Sequence, residues 1–294
     1  MAKDLNSNVN KLRNCWKTNG GRVLSYNCQQ NKFQTQQDVF NNIGLSAYFA
    51  SISRAVKFSK DNISTKTRKK LKLPEIEPNY TCKLCNDTGL VDGRYCKCLT
   101  KEINEILIAE SGFGKLESFE EANFEIHSKP EFVKKLYKLM KDWCHSDFNK
   151  NLVFLSGQTG VGKTHLARCM AKELIDLNKV VLLTTSFAMN QDFLKSYASK
   201  DLDEKEYIMN KYLNAEILFI DDLGTELRQD GITNNYLYLV LNERQERGKA
   251  TVITSNMTLE DVRDYYDERI SSRIINKAIS ILYYINGSDL RLKK

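Results

Sequence analysis

The chain has 294 residues, 41% apolar and 28% charged, proportions of a soluble globular protein with room for one to three domains. Its opening residues, MAKDLNSNVNKLRNCWKTNG, hold no apolar signal-peptide core, and no apolar run approaches the roughly 18 residues that cross a bilayer. A secreted or membrane-bound protein is therefore not expected. A cytoplasmic one is, where thiols stay reduced and clustered cysteines bind metal more often than they pair.

The net charge of +7 is unevenly spread. Residues 1–100 carry 17 Lys and Arg against 7 Asp and Glu, net +10, and the remaining 194 carry 27 against 30, net −3. The excess concentrates between Arg54 and Lys72, where only Asp61 opposes it. Such a segment suits nucleic-acid phosphates or an acidic protein surface, and it equally suits a solvated linker. Pro74 and Pro78 then mark an extended connector, because proline fixes φ and disfavours helix before it.

The stretch YTCKLCNDTGLVDGRYCKCL comes next, with four of the chain's eight cysteines. Cys82 and Cys85 are separated from Cys96 and Cys98 by a turn that Gly89 and Gly93 permit. Four thiolates at this spacing predict a closed, tetrahedral, structural Zn²⁺ site, with a disulfide pair or a redox switch as alternatives. Metal binding would stabilise a segment too small to fold on its own core. Cys15, Cys28, Cys144 and Cys169 show no ligand spacing.

Ile103, Ile106 and Leu107 suggest a short amphipathic helix. Ser128-Lys129-Pro130-Glu131 has the form of a capping box, and the apolar spacing from Phe132 to Trp143 predicts a helix over 129–144. From residue 151 onward the apolar runs NLVFLS, VVLLTT, ILFI, TVITS and ISILYYI alternate with helical stretches, which predicts a parallel α/β sheet buried on both faces.

Gly157-Gln158-Thr159-Gly160-Val161-Gly162-Lys163-Thr164 fits the phosphate-loop pattern without mismatch, after a predicted strand and before a predicted helix. Its glycines let backbone N–H groups form an anion nest, to which the helix N-terminus adds positive charge. Lys163 is expected to reach the β- and γ-phosphates, and the Thr164 hydroxyl to ligate Mg²⁺. The run ILFIDD supplies carboxylates at a buried strand's end. Asp221 is expected to hold Mg²⁺, and Asp222 to polarise the attacking water or merely to cap the segment after it. Asn256, at the tip of TVITSN, can hydrogen-bond the γ-phosphate or that water. Arg269 and Arg273 share one helical face and are placed to reach a neighbouring subunit's γ-phosphate.

In that order and spacing, GQTGVGKTH, ILFIDDLGTE, TVITSNMT and YDERISSRI resemble the AAA+ ATPases of the bacterial helicase-loader family, the DnaC/DnaI type, over roughly residues 118–291. The resemblance implies an AAA+ domain with a five-stranded parallel sheet, ATP as the nucleotide, Asn256 as sensor 1 and Arg273 as arginine finger. It implies ATP-dependent delivery of a ring-shaped replicative helicase onto single-stranded DNA, with self-association through the ATPase domain. Asp222 stands where many AAA+ proteins carry Glu, so slow, switch-like hydrolysis is expected, and no helical lid is expected after ISILYYI. The alternatives are an IstB-like transposition helper acting on target DNA, and a zinc-dependent DNA-binding module with a vestigial nucleotide site. The expected organisation is a basic, partner-binding region over 1–72, a zinc module with linker helix over 73–117 and the ATPase domain over 118–294.

Overall fold

The computed structural model describes residues 80–292. The basic segment, the connector prolines, Cys15, Cys28 and the partner-binding reading of residues 1–72 lie outside those residues.

A two-stranded hairpin opens the described chain: β1 (Leu90–Val91) pairs antiparallel with β2 (Arg94–Tyr95). Its turn residues Asp92 and Gly93 have φ of 49° and 75°, the left-handed pair that a two-residue hairpin turn requires. Helix α1 (Lys97–Ser111) is next, then α2 (Pro130–Cys144). Five strands then alternate with helices: β3 (Leu152–Gly157), α3 (Lys163–Asp176), β4 (Val181–Thr185), α4 (Ser186–Ala198), α5 (Leu202–Asn214), β5 (Ile217–Leu223), α6 (Thr233–Glu246), β6 (Ala250–Ser255), α7 (Leu259–Tyr265), α8 (Glu268–Ile275) and β7 (Ser280–Ile285). These strands form one parallel sheet in the order β4-β5-β6-β3-β7, as the alternation predicts.

The apolar strands read as continuous runs because both faces of the sheet are covered. Within β3, Leu152 and Phe154 pack into the core beneath α1, α4, α5 and α6, while Val153 and Leu155 pack into the core beneath α2 and α3. Strand β5 divides the same way, Leu218 and Ile220 to one side, Ile217 and Phe219 to the other.

Helix α2 spans nearly the predicted residues, but the capping box at Ser128 does not form. Lys129 is the N-cap and no side chain caps the helix. The Ser128 hydroxyl instead meets Ser288 Oγ at 3.3 Å, so a partner distant in sequence displaces the local one. Capping boxes form elsewhere, at Ser118 with Glu121 and at Thr258 with Asp261.

Helix α1 begins before the last cysteine of the cluster, so Cys98 is itself helical. Its Leu99, Ile103 and Leu107 enter the core of the ATPase sheet. Asn104, 1% exposed, donates from Nδ2 to Lys179 O at 2.8 Å and accepts from Val181 N at 3.0 Å. One side-chain amide thus serves both backbone groups at the start of the edge strand β4. Elsewhere Arg244, fully buried, donates to Tyr212 O and Ala215 O at 2.8 Å, to Thr251 Oγ1 at 2.9 Å and to Ala250 O, tying the end of α5 to the start of β6. Burial lowers its pKa to about 9.

Replacing Asn104 with Ala removes both edge-strand contacts and leaves two backbone groups without their partner. Urea denaturation is expected to show a loss of about 2 kcal/mol.

Candidate nucleotide site and cysteine cluster

The sheet order decides what meets at its carboxyl edge. Strand β6 lies between β3, which carries the phosphate loop, and β5, which carries the acids. The ends of all three therefore open on one crevice, where parallel α/β sheets bind ligands.

In the loop, Gly157 has φ of 150°, and a β-carbon there would stand 2.2 Å from Ile285 O. Only glycine permits the chain to turn so close to β7. Gln158 and Thr159 are exposed at the crown, Gly160 comes after them, and Gly162, at φ 97°, is the N-cap of α3. Lys163 is 4% exposed, and its Nζ donates to Gly157 O, Gln158 O and Asn256 Oδ1, each at 2.8 Å. Burial pulls the ammonium below the ordinary lysine range, and Asp222 and Asp221 oppose that shift. An entering polyphosphate would supply the counter-charge this ammonium lacks.

Asp221 and Asp222 are the fifth and sixth residues of β5 rather than the first beyond it. Asp222 takes a left-handed backbone, φ 54°, where the β5–β6 register shifts between Ile220 and Leu223. That irregularity directs two successive carboxylates differently: Asp221 is 7% exposed, while Asp222 is half-buried. Asp221 accepts from Thr164 Oγ1 at 3.1 and 3.2 Å and from Thr254 Oγ1 at 2.5 Å. The Thr254 hydroxyl also accepts from Asp222 N at 3.0 Å, so one β6 side chain sets both acids. Burial pushes the Asp221 carboxyl up, against the hydrogen bonds from Thr254 and Thr164. A hydroxyl and a carboxylate in contact, beside a lysine, form a donor set suited to Mg²⁺ held against a polyphosphate.

The structure therefore brings Lys163, Thr164, Asp221, Asp222 and Asn256 to one edge. It sets Arg269 and Arg273 elsewhere, on α8 against α6. Their guanidinium carbons stand 5.2 and 5.8 Å from the Tyr238 ring centroid, and Arg273 Nε is buried without a hydrogen-bond partner. Arg273 Nη2 meets the Tyr238 hydroxyl at 3.5 Å, and its backbone oxygen accepts from Gln245 Nε2 at 2.6 Å, both on α6.

Sequence reasoning missed three features here. Thr254 reads as an ordinary strand residue, and only its place beside ILFIDD in the sheet shows its use. Glu226, in DLGTE, is 4% exposed rather than a surface acid. The segment after β7 also crosses the loop: Leu290 N donates to Gly160 O at 2.9 Å, and the Asp289 carboxylate lies against Gly160 while pairing with Arg291 at 2.8 Å.

The four cysteines of the hairpin come together. All their sulfurs lie within 4.8 Å of one another, with Cys82 and Cys96 at 3.8 Å and Cys85 and Cys98 at 3.4 Å. Sulfurs bound tetrahedrally at about 2.3 Å stand roughly 3.8 Å apart, so the set fits a Cys₄ zinc site. Backbone N–H groups of Cys85 and Leu84 lower the Cys82 thiol to about 7, and Gly89 N donates to Cys85 Sγ at 3.4 Å. Such N–H···S contacts favour the thiolate that metal needs, although at Cys85 burial outweighs the Gly89 contact and pushes the thiol up. Cys144 and Cys169 are buried apart from the cluster, and burial pushes them up, Cys169 to about 12.

An all-parallel sheet that sets a polar-tipped strand between the phosphate-loop strand and the acidic strand is the arrangement of the AAA+ ATP-binding class. Within it, residues 92–294 match the family described as IstB-like ATP binding protein, and the chain belongs to that family. The matched stretch contains all four motifs that carry the resemblance to AAA+ loaders. Among curated proteins it is similar to YqaM of Bacillus subtilis strain 168, 28% identical over 68% of this chain and 65% of that protein. It is similar also to the phage-like element PBSX protein XkdC of the same strain, 26% identical over 72% of this chain and 85% of that one. The chromosomal replication initiator DnaA of Kosmotoga olearia is 28% identical over 46% of this chain. The chain thus spans just under two thirds of YqaM and 30% of that DnaA. Among solved structures, a DnaI crystal structure overlays with a TM-score of 0.45 at 19% identity, covering 59% of this chain and 90% of that one. No helix among the described residues is long and apolar enough to cross a membrane.

The purified chain is expected to hold one zinc per molecule by metal analysis, lost on Cys82→Ser. Zinc at 1,000 times its dissociation constant is expected to stabilise the fold by about 4 kcal/mol in chelator-controlled melting. Burial of the Asp221 carboxyl also sets the stability of an Asp221→Asn variant. Because burial raises the folded pKa above 3.8, the ionised carboxylate destabilises the nucleotide-free fold at neutral pH. The Asn variant is expected to denature at higher urea than the parent at pH 7, and that advantage should fade as pH falls toward 3.8, while Mg²⁺-dependent nucleotide hydrolysis is lost.

Proposed function

We propose that this chain is an ATP-switched loader: it binds a ring-shaped replicative helicase of the DnaB type and helps place it on single-stranded DNA. It acts in the cytoplasm through self-association of its ATPase domains. Gly157, Thr159, Gly160, Gly162 and Lys163 hold the triphosphate of ATP, Thr164 and Asp221 hold Mg²⁺, Asp222 polarises water, and Asn256 senses the γ-phosphate. Arg273 completes the site of a neighbouring copy. The observation that carries this reading is the separation within one subunit of a convergent phosphate, acid and amide cluster from two arginines held on another helix. A site of that kind works at a subunit contact, as an assembly switch does. Asp222, shorter by a methylene than the Glu of many AAA+ proteins, favours slow hydrolysis.

Two further observations favour a loader. DnaA initiators are 28–31% identical to this chain over 42–46% of its length. A cysteine cluster with zinc geometry stands ahead of the ATPase, as a docking module for the helicase would, with residues 1–72 as a further partner-binding region. The second reading, a transposition helper acting on target DNA, takes its support from the family description itself.

A pull-down against the replicative helicase, with and without ATP, separates the two. ATP-dependent capture that Cys82→Ser with Cys85→Ser abolishes supports the loader. Assembly stimulated by duplex DNA with no helicase capture means the transposition helper. Arg273→Ala is expected to bind ATP normally, while hydrolysis falls by about 10³-fold and ATP-dependent assembly disappears. A loss of ATP binding instead would mean that the arginine serves its own site.

A further inference from the structure

One buried side chain ties the loop that leaves the acidic strand to the corner ahead of the arginine helix. Glu226, 4% exposed, turns its two carboxylate oxygens toward different elements. Its Oε2 accepts from Gly224 N at 3.0 Å, closing the loop that begins two residues after Asp222. Its Oε1 accepts from the Tyr266 hydroxyl, and its backbone oxygen accepts from the Tyr265 hydroxyl at 3.1 Å. Tyr266, 5% exposed, is the corner residue between α7 and α8.

That corner continues into the arginine helix. Asn234 of α6 donates to Tyr266 O at 2.8 Å. The next residue, Asp267, caps α8 by accepting from Ile270 N at 2.9 Å and holds Arg269 at 3.1 Å. On the other flank Ser255, beside Asn256, donates from Oγ to Leu223 O at 2.6 Å. A groove of about 600 Å³, bordered by Gly224, Thr225, Asn256 and Tyr265, leaves the loop room to shift.

A carboxylate so buried has no water to replace a lost donor, so breaking either contact leaves charge unsatisfied. A displacement of the loop therefore moves the α7–α8 corner with it or costs that bond. We infer that Glu226 is a positioning residue that couples the loop following Asp222 to the arginine helix α8, so that occupancy of a subunit's own nucleotide site sets the posture of the arginines it lends. The lending of Arg273 to a neighbour rests on the proposed function; the coupling itself does not.

Hydrogen exchange in the full chain, with and without a Mg²⁺-bound non-hydrolysable ATP analogue, reads the coupling directly. The parent is expected to slow exchange across residues 268–275 by about threefold or more on binding. Tyr266→Phe and Glu226→Ala are expected to bind the analogue within about twofold of the parent and to lose that response. Glu226→Gln is expected to keep it, because a carboxamide can accept from Gly224 N and donate to the Tyr266 hydroxyl. Should Glu226→Ala fail to fold, Tyr266→Phe decides alone, since it removes a single oxygen. A parent whose α8 ignores the analogue, or a Tyr266→Phe variant that responds as the parent does, overturns the inference. If Arg273→Ala hydrolyses ATP normally while the exchange response survives, the neighbour's role falls and the coupling stands.

Discussion

A carboxylate left only 7% exposed inside a parallel sheet must find its donors among its immediate neighbours, and the nucleotide edge is organised around that need. Asp221 finds them in Thr164 of α3 and Thr254 of β6. Neither is near in sequence. Both are near only because β6 runs between β5 and β3. With any strand but β6 between β5 and β3 the acid would have lost Thr254, and Lys163 would have lost Asn256. The strand order is thus a chemical requirement of the site as much as a solution to packing.

The same distinction between near and distant partners separates what was legible in the sequence from what was not. The phosphate loop was legible because its chemistry is contiguous: eight residues supply the glycines, the lysine and the hydroxyl. Four strands were legible because burial on both faces leaves an unbroken apolar run; β7, apolar in sequence, is an edge strand whose interior residues are half-buried or, at Tyr284, exposed. Ser128 misled because a local pattern promised a local bond, and its hydroxyl found Ser288 instead. Glu226 and Arg244 were invisible for the opposite reason. A charged residue in a loop or on a helix reads as surface, and only the assembled fold shows carbonyls converging on the guanidinium and two donors on the carboxylate. The irregular backbone at Asp222, which lets neighbouring acids do different work, has no signature in ILFIDD.

The cysteine cluster is bound to the motor more closely than a tether would allow. Cys98 lies within α1, and the same helix buries Leu99, Ile103 and Leu107 in the sheet's core. Strand β4 is an edge, and an apolar edge strand invites unwanted pairing unless something covers it. Helix α1 covers it, and Asn104 imitates the missing neighbour by offering a donor to Lys179, just ahead of the strand, and an acceptor to Val181, its first residue. A metal bound at one end of α1 would restrain the helix that shields the sheet at the other.

Lys163 and Asp221 share the crevice yet do not form an ion pair with each other. The ammonium is held by two carbonyls and an amide oxygen, the carboxylate by two hydroxyls. Each charge is solvated by neutral dipoles, and burial works against each, pulling the lysine down and pushing the acid up. A direct salt bridge would satisfy both and close the site, since a triphosphate and its cation would then have to break a buried pair. Holding the charges apart keeps them available: an anion satisfies the lysine, a cation satisfies the acid, and Mg²⁺ with a triphosphate brings both at once. The site is poised for its ligand because its own charges are kept from neutralising one another.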